Sequence, residues 1–232
     1  MGGIGANANA PTVKKMPEAI SVTQDKVKEL QQIMQQSGYE AGDAETNPNN
    51  KLYVNSGKSF NINKYLNTDG DTIISNHTDW SKYIDKPWVK GAIDKIDAGM
   101  RPLPESVKTT RYLDGDSLAY MTDGITGNFS KFMELLDSGK INGSDFTKIL
   151  QNVDYTHKGY TSTTYEPKHG SYDNRDIKLN MVLQKGTPAI ITNNHKEHEI
   201  LAGRNQKYNF TGGWSIETTP SGKRQLVLDV YI

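Results

Sequence analysis

Apolar residues recur at helical spacing in several segments of the chain, separated by polar stretches rich in Gly, Asn and Pro. Residues at i, i+3, i+4 and i+7 share one face of an α-helix, so this spacing indicates amphipathic helices that cover a core. The predicted helices are 21–38, 79–100 (broken before Pro87), 127–138 and 144–152. The candidate N-caps are Ser21 (in a capping box with Gln24), Thr126 or Asn128, and Ser144; Gly38 ends the first helix.

Later in the chain the pattern changes to β-branched and aromatic residues, often alternating with polar ones. A period of two is that of a strand with one buried face. The predicted strands are 108–113, 159–164, 177–183, 189–192, 199–202, 208–214 and 225–231, with weaker candidates at 52–54 and 72–74. Because helices come mainly first and strands mainly second, the layout is α+β rather than a series of βαβ units.

Composition narrows the class of protein. The chain has 232 residues, of which 34% are hydrophobic, and a mean hydropathy of −0.69, which suits a polar, loop-rich α+β protein. Basic and acidic residues number 27 each, so no global positive field favours nucleic acid or an anionic membrane. The absence of Cys excludes disulfides, zinc–cysteine sites and thiol catalysis. With no apolar run near the roughly 18 residues of a membrane span and no signal-peptide pattern, we expect a soluble protein.

The run Glu197-His198-Glu199-Ile200-Leu201 places two carboxylates one residue apart, directly before an apolar segment. If the run is extended, Glu197 and Glu199 project from one face of the strand and His198 from the other. Paired acids occur where acid–base chemistry or stabilisation of a cation is needed. Glutamates at i and i+2 are also common on solvated strand faces, so the pair alone does not define a site.

Two other predicted strands carry polar residues. Arg111 lies inside the β-rich run 109–113, where it is either the charge of an edge strand or a functional cation. The run Ser162-Thr163-Thr164 offers three consecutive hydroxyls, which can hydrogen-bond neighbouring strands or simply favour β structure. The order along the chain is therefore Arg, then Ser-Thr-Thr, then Glu-x-Glu.

This order resembles the Arg–Ser–Glu layout of the mono-ADP-ribosyltransferases, in the class that carries Glu-x-Glu. Gly-Tyr-Thr-Ser-Thr-Thr at 159–164 resembles the family's Gly-aromatic-x-Ser-Thr-Ser strand, with Thr164 in place of the last Ser. Lys-Gly-Thr-Pro-Ala at 185–189 resembles the turn before its acceptor loop, and 197–203 resembles its Glu-x-Glu-hydrophobic-Leu segment. The resemblance covers roughly residues 80–232 and points to clostridial actin-modifying toxins and to phage and bacterial effector transferases.

The resemblance implies an α+β fold in which N-terminal helices precede a two-sheet, mainly antiparallel β core. It implies a catalytic domain over 79–232, preceded by an extension of unknown role over 21–78; the composition of 1–20 indicates a disordered lead-in. It also implies NAD as co-substrate, no metal, and action in the cytoplasm of a target or host cell.

The resemblance further assigns the NAD-cleaving chemistry to three residues. Glu199 would stabilise the oxocarbenium-like ribose left when nicotinamide departs, Ser162 would hold Glu199, and Arg111 would bind the NAD diphosphate. Thr163 and Thr164 belong to the same cofactor-binding strand. Arg175, in the polar loop 165–176, is either a second phosphate contact or a solvated charge.

The resemblance assigns to Glu197 the task of activating the acceptor. A target arginine is protonated in water and is a poor nucleophile, so a neighbouring carboxylate is needed to orient it and take a proton. In the family, Glu at this position accompanies arginine acceptors and Gln accompanies asparagine. We therefore expect a protein substrate modified on arginine, with residues 193–196 forming part of the recognition loop.

Metal binding is the main alternative for this region of the chain. His195, Glu197, His198 and Glu199 could form a cluster, but the His-Glu-x-x-His spacing is absent. Asp-Gly-Asp at 69–71 and at 114–116 hints at calcium, yet neither continues into a twelve-residue loop ending in Glu, so both are predicted to be turns. No metal site is predicted.

Other functions on the same fold stay open. The chain could be a non-catalytic partner-binding or phage structural module, an NAD glycohydrolase, or a transferase acting on nucleic acid. A docking module would be expected to lose Arg111, Ser162 or Glu199, so their retention favours an enzyme. The zero net charge argues mildly against a large nucleic-acid footprint.

Overall fold

The computed structural model describes residues 11–39, 59–67, 86–166, 172–192 and 198–232, which form six helices and ten strands. The helices are α1 (Gln24–Gln35), α2 (Ser59–Asn67), α3 (Lys86–Gly99), α4 (Ser117–Met121), α5 (Phe129–Asp137) and α6 (Gly143–Asn152). The strands are β1 (Ile20–Ser21), β2 (Arg101–Pro102), β3 (Val107–Leu113), β4 (Tyr155–His157), β5 (Thr161–Thr164), β6 (Ile177–Leu183), β7 (Pro188–Ile191), β8 (Glu199–Ala202), β9 (Gln206–Thr218) and β10 (Arg224–Tyr231). The weaker strand candidates at 52–54 and 72–74 lie outside the described residues.

The strands follow one hydrogen-bonded path in the order β2-β7-β8-β5-β3-β6-β10-β9-β4, with β1 added beside β3. The β1–β3 and β6–β10 pairs are parallel, and all the other pairs along the described path are antiparallel. Two groups of strands meet where β3 and β5 share the pair Thr110–Thr164. The predicted α+β class with a mainly antiparallel core is confirmed.

Helix α1 begins later than the sequence predicted. Thr23 is its N-cap, with a side-chain oxygen that accepts a hydrogen bond from the Lys26 N–H at 3.3 Å. Ser21, the predicted cap, instead belongs to β1 and pairs with Lys108 of β3. The prediction was wrong because a capping pattern is local, whereas the partner of β1 lies far along the chain. Gly38, with φ of +82°, follows the helix end as predicted.

Helix α1 packs into the same hydrophobic core as the sheet. Its buried residues Val27, Leu30 and Met34 recur at helical spacing, and Leu30 is 0% exposed. Described residues from both sides of the predicted boundary at residue 79 therefore share one core. The boundary itself stays a prediction.

Residues in the second half of the predicted lead-in make hydrogen bonds to the sheet region, and the boundary of the lead-in stays a prediction. The Thr12 carbonyl accepts a hydrogen bond from Gln151 Nε2 at 2.7 Å, and the Lys14 N–H donates to the Thr211 carbonyl of β9 at 2.9 Å. Residues 1–10 lie outside the described ranges. Composition alone could not reveal these bonds, because residues 12 and 14 make them with their backbone groups and not with their side chains.

Helices α5 and α6 cover the long strand β9 through aromatic packing. The rings of Phe132 and Phe146 lie 4.3 Å apart between centroids, and Phe146 meets the Trp214 ring of β9 edge-on at 5.2 Å.

No helix in the described part of the chain is long and apolar enough to cross a membrane.

Asparagine side chains decide where these two helices begin. Asn128 Oδ1 accepts from the Lys131 N–H at 3.0 Å, as one of the two predicted caps of α5. Asn142 Oδ1 accepts from the Asp145 N–H at 2.9 Å and caps α6. The predicted cap of α6, Ser144, lies inside the first turn, so that prediction was wrong.

Replacing Leu30 by Ala should lower the free energy of unfolding by about 2–5 kcal/mol, because it opens a cavity in the core that α1 shares with the sheet. Ile33→Ala is the matched control, since Ile33 lies on the same helix and is 37% exposed; it should cost less than about 1 kcal/mol. Urea unfolding of both variants measures the difference. Equal, small effects would show that α1 is not part of the cooperative unit.

Candidate active site

One row of residues crosses the three strands where the two groups of strands meet. Thr110 of β3 pairs with Thr164 of β5, which also pairs with Glu199 of β8. Arg111 follows Thr110 along β3, and Ser162 stands two residues before Thr164 on β5. The sheet therefore brings the predicted Arg, Ser and catalytic Glu to one junction, although they lie far apart in the sequence.

The Ser162 hydroxyl donates a hydrogen bond of 2.5 Å to Glu199 Oε1. Residues i and i+2 of a strand share a face, and directly paired residues lie on the same face, so Ser162, Thr164 and Glu199 project together. Glu199 is only 2% exposed, and a carboxyl removed from water needs such a donor. The contact fixes the position of the Glu199 carboxyl within the sheet.

The other two hydroxyls of the Ser-Thr-Thr run have different partners. Thr163, on the opposite face of β5, donates to the Ile200 carbonyl of β8 at 2.8 Å. Thr164 Oγ1 donates to the Glu166 carbonyl and accepts from the Glu166 N–H, both at 3.2 Å. In the structure they fix β5 to β8 and shape the turn after β5. Their assignment to cofactor binding stays a prediction.

Arg111 presents a buried donor. Its Nη1 is inaccessible to water and has no hydrogen-bond partner among the described residues. Leaving such a donor unsatisfied is costly, so an anionic group that reaches it would be bound favourably. The planar guanidinium N–H groups match the oxygens of a phosphate. The site therefore fits the diphosphate of a dinucleotide at this arginine.

A buried histidine that the sequence analysis missed lies beside Arg111. On β4, His157 Nδ1 lies 3.1 Å from the Tyr155 hydroxyl, and His157 Nε2 lies 3.3 Å from the Tyr160 carbonyl. Because a carbonyl only accepts, Nε2 carries the proton and Nδ1 accepts from Tyr155. The sequence pattern that could have located His157 is the alternation Tyr155-Thr156-His157, but three residues are too few to predict a strand.

The surroundings of this histidine keep it neutral. Burial, followed by the positive charge of Arg111, lowers the pKa of His157 to about 3. Burial likewise raises the pKa of Tyr155 to about 12, so Tyr155 keeps the proton that it donates. Arg111 therefore has no cationic histidine beside it at neutral pH.

Arg175 lies beside the end of the arginine strand. Its Nε is 3.5 Å from Asp114 Oδ1, its Nη1 donates to the Tyr112 carbonyl at 3.5 Å, and its guanidinium lies 4.8 Å from the centre of the Tyr172 ring. The side chain is about a third exposed, at 36%. These contacts hold the Arg175 guanidinium near the end of β3. Its phosphate contact stays a prediction.

The predicted pairing of Glu197 with Glu199 on one strand face does not follow from the structure. β8 begins at Glu199, and His198 before it has φ of +47°, in the left-handed region, so the extended alternation stops there. Glu197 and the recognition segment 193–196 lie outside the described residues. The role of Glu197 stays a prediction.

His198, which had no assigned role, ties β8 to the turn after β5. Its ring is 4% exposed and meets the Tyr165 ring edge-on at 5.3 Å. Its Nδ1 lies 3.3 Å from the Tyr165 hydroxyl and 3.7 Å from Glu166 Oε1. Among the described residues there is no group of three or more His, Asp or Glu side chains able to hold a metal; His195 and Glu197 fall outside them.

The class of protein is that of the ADP-ribosyltransferases, which carry Arg, Ser and Glu motifs in this order. The family described as ADP-ribosyltransferase exoenzyme matches residues 19–232, and the chain belongs to that family. It is a toxin-type transferase for NAD-dependent mono-ADP-ribosylation, with NAD as its co-substrate.

Solved structures share the fold. C3stau2 from S. aureus, solved with NAD, is 21% identical, with a TM-score of 0.60 over 93% of this chain and 98% of that one. Plx2a, a toxin from Paenibacillus larvae, is 18% identical, with a TM-score of 0.59 over 89% and 94%. The enzymatic component C2-I of the C2 toxin from Clostridium botulinum is 14% identical, with a TM-score of 0.60 over 90% of this chain and 47% of that one. A comparison with curated protein sequences finds no significant match.

The neutral state of His157 should make the protein sensitive to acid. Between about pH 6.5 and pH 3 the unfolded chain binds a proton at this histidine and the folded protein does not, so stability falls as the pH is lowered. The slope for one proton is at most about 1.4 kcal/mol per pH unit. Urea unfolding between pH 7 and pH 4 should show this slope in the wild type and a shallower one in His157→Gln.

Thr156→Gln, at an exposed position of the same strand, is the control and should keep the wild-type slope. Parallel curves for all three proteins would contradict a neutral buried His157.

Proposed function

We propose that this protein transfers ADP-ribose from NAD to an arginine of a target protein. One observation carries the proposal: the buried Glu199 carboxyl is held by Ser162 at the same strand junction as Arg111, whose buried Nη1 lacks a partner among the described residues. The remaining steps assign a task to each side chain.

Glu199 acts on the bond between nicotinamide and ribose. That bond breaks with its electron pair passing to nicotinamide, which leaves as a neutral molecule, and positive charge develops on the ribose as in glycoside hydrolysis. A carboxylate fixed beside the developing charge stabilises the transition state more than the bound substrate. The hydrogen bond from Ser162 supports this role because it places the carboxyl without requiring NAD.

Arg111 binds the diphosphate of NAD. Its Nη1, which has no hydrogen-bond partner in the described part of the chain, can donate to a diphosphate oxygen, and the neutral His157 beside it adds no competing cation. Arg175 supplies a second positive charge, oriented by Asp114 and Tyr172, for the same phosphates. Holding the diphosphate leaves the ribose as the part of NAD that meets Glu199.

Glu197 selects and activates the acceptor. An arginine nitrogen forms the new bond to the ribose carbon and must lose one proton as it does so, since the guanidinium carries no free lone pair when protonated. Glu197 takes that proton and releases it to water, so the overall products are modified arginine, nicotinamide and a proton. Its place two residues before Glu199, and its identity as Glu rather than Gln, support an arginine acceptor.

Glu199→Gln and Glu197→Gln should affect two activities differently. With labelled NAD and cell lysate, Glu199→Gln should lower both NAD cleavage and label transfer by about 100-fold or more, because the ribosyl cation loses its carboxylate. Glu197→Gln should abolish transfer to arginine and leave most NAD hydrolysis intact. Mass spectrometry of labelled proteins identifies the acceptor residue.

The control for these variants is Glu217→Gln, an exposed glutamate that pairs with Lys178. It should behave as the wild type. Absence of transfer by the wild type, under conditions in which NAD binds, would refute the transferase. Equal loss of both activities in Glu197→Gln would refute the separate roles of the two glutamates, and modification of another residue type would refute the arginine acceptor.

Arg111→Lys should weaken NAD binding by about tenfold, which corresponds to about 1.4 kcal/mol. A lysine keeps the charge but replaces the planar fork by a point donor. Calorimetric titration with NAD measures the effect, and Arg224→Lys, at an exposed arginine paired with Asp137, is the control. Unchanged affinity in Arg111→Lys would contradict the assignment of the diphosphate to this arginine.

A further inference from the structure

The outer edge of β7 is only half covered by a strand. On one side β7 pairs with β8 from Ala189 to Ile191. On the other side, within the described residues, β2 reaches only Pro188 and Ala189. A sheet edge carries backbone N–H and C=O groups that need partners when they are buried. Ile191, at the end of β7, therefore needs hydrogen-bond partners other than β2 for its outward-facing backbone groups.

The pairing with β8 fixes where the backbone groups of Ile191 point. The Thr192 N–H donates to the Glu199 carbonyl at 3.0 Å, so Thr192 and Glu199 form a hydrogen-bonded pair. Hydrogen-bonded and non-hydrogen-bonded pairs alternate along antiparallel strands. Ile191, opposite Ile200, therefore directs its N–H and C=O away from β8, towards the outer edge.

Two side chains of the N-terminal segment meet these groups. The Tyr39 hydroxyl accepts from the Ile191 N–H at 3.2 Å and donates to the Ile191 carbonyl at 2.7 Å. Gln31 Nε2, from α1, donates to the same carbonyl at 3.1 Å. Tyr39 is 3% exposed and Gln31 is 7% exposed. One hydroxyl thus makes both bonds that a neighbouring strand would supply to Ile191.

The segment that carries Tyr39 is itself fixed in place. The Tyr39 N–H donates to the Met34 carbonyl at 3.2 Å, which closes the end of α1. Arg101 of β2 donates from Nε to the Ser37 carbonyl at 2.7 Å and from Nη2 to the Gly38 carbonyl at 3.1 Å. Arg101 also pairs with Ala189 of β7. The hydroxyl is therefore held against β7 by packing and by hydrogen bonds on both sides.

We propose that Tyr39, assisted by Gln31, is a positioning residue for the reaction: it fixes the end of β7, and through the Thr192–Glu199 pair it fixes the main chain of Glu199. This inference rests on the proposed role of Glu199. The chain of contacts is short, because Ile191 precedes Thr192 and Thr192 bonds directly to Glu199. It gives the segment around α1 a task in catalysis that acts through the main chain of β7 and β8.

The expected signature is a fall in kcat without a matching rise in KM for NAD. NAD affinity depends on Arg111, which stands on β3 beyond β5, whereas the Tyr39 bonds act on the β7–β8 pair. Tyr39→Phe removes the hydroxyl, keeps the packed ring and leaves the Ile191 N–H without that partner. We expect kcat for NAD cleavage to fall about tenfold, and KM to change less than about twofold.

Two further variants make the test graded. Gln31→Leu removes one of two donors to the Ile191 carbonyl and should lower kcat less than Tyr39→Phe does. Thr147→Val removes another buried hydroxyl bond, from α6 to the Gly212 carbonyl at 3.1 Å on β9, and should leave kcat at the wild-type value. Hydrogen exchange should show faster exchange of the Ile191 amide in Tyr39→Phe and an unchanged rate in Thr147→Val.

The outcomes separate this inference from the proposed function. A wild type that does not cleave NAD refutes the function. An active wild type with unchanged kcat in Tyr39→Phe refutes the positioning role, and so does an equal loss in Thr147→Val or a parallel rise in KM. If Tyr39→Phe does not fold, Gln31→Leu decides: a reduced kcat at constant KM supports the proposal, and a wild-type kcat overturns it.

Discussion

The hydrogen bond from the Ser162 hydroxyl to the Glu199 carboxyl is the interaction on which the site depends. Glu199 is almost completely buried, and a carboxyl in such a place requires a donor. The bond forms because β5 and β8 pair in the register Thr164–Glu199, which makes Ser162 a diagonal neighbour on the same face. A slip of one residue would send the two side chains to opposite faces, so this hydrogen bond requires the observed register of the sheet.

Arg111 shows the complementary arrangement at the other side of the junction. There the sheet leaves a guanidinium nitrogen buried and unpartnered among the described residues, while burial and the arginine itself keep His157 neutral. The junction thus carries a carboxyl whose Oε1 is bonded by a serine of the neighbouring strand, and a guanidinium nitrogen that is buried without a partner among the described residues. In the proposed reaction the guanidinium meets the diphosphate of NAD, and the carboxylate meets the ribosyl cation that develops as nicotinamide leaves.

The N-terminal segment completes the sheet at two separate edges. β1 pairs with the beginning of β3, the strand of Arg111, and Tyr39 with Gln31 satisfies the end of β7 beside the strand of Glu199. Helix α1 lies between these two contacts and packs its apolar face into the common core. Residues that carry no family motif therefore bond to β3, which flanks the site's central strand β5, and to β7, which pairs with β8 on the other side of β5.

The sequence by itself determined the hydrophobic periodicity of the helices and strands and the identity of the motif residues. Alternation and β-branched content predicted β6 and β8 with their observed bounds, and the resemblance picked out Arg111, Ser162 and Glu199, which the structure brings to one junction. These features can be predicted because a strand's alternation and the residue types of each single motif are properties of a few consecutive residues.

Tertiary structure decided which residues meet. Ser21 was drawn into a strand pair instead of capping α1, and His198 left the extended conformation, which ended the alternation from which the Glu197–Glu199 face was predicted. The fold alone supplies the neighbours of two buried residues: His157 lies beside Arg111, and Tyr39 bonds to Ile191 at the outer edge of β7. The physical reason is that burial and edge pairing depend on segments distant in the chain, and no short pattern encodes those partners.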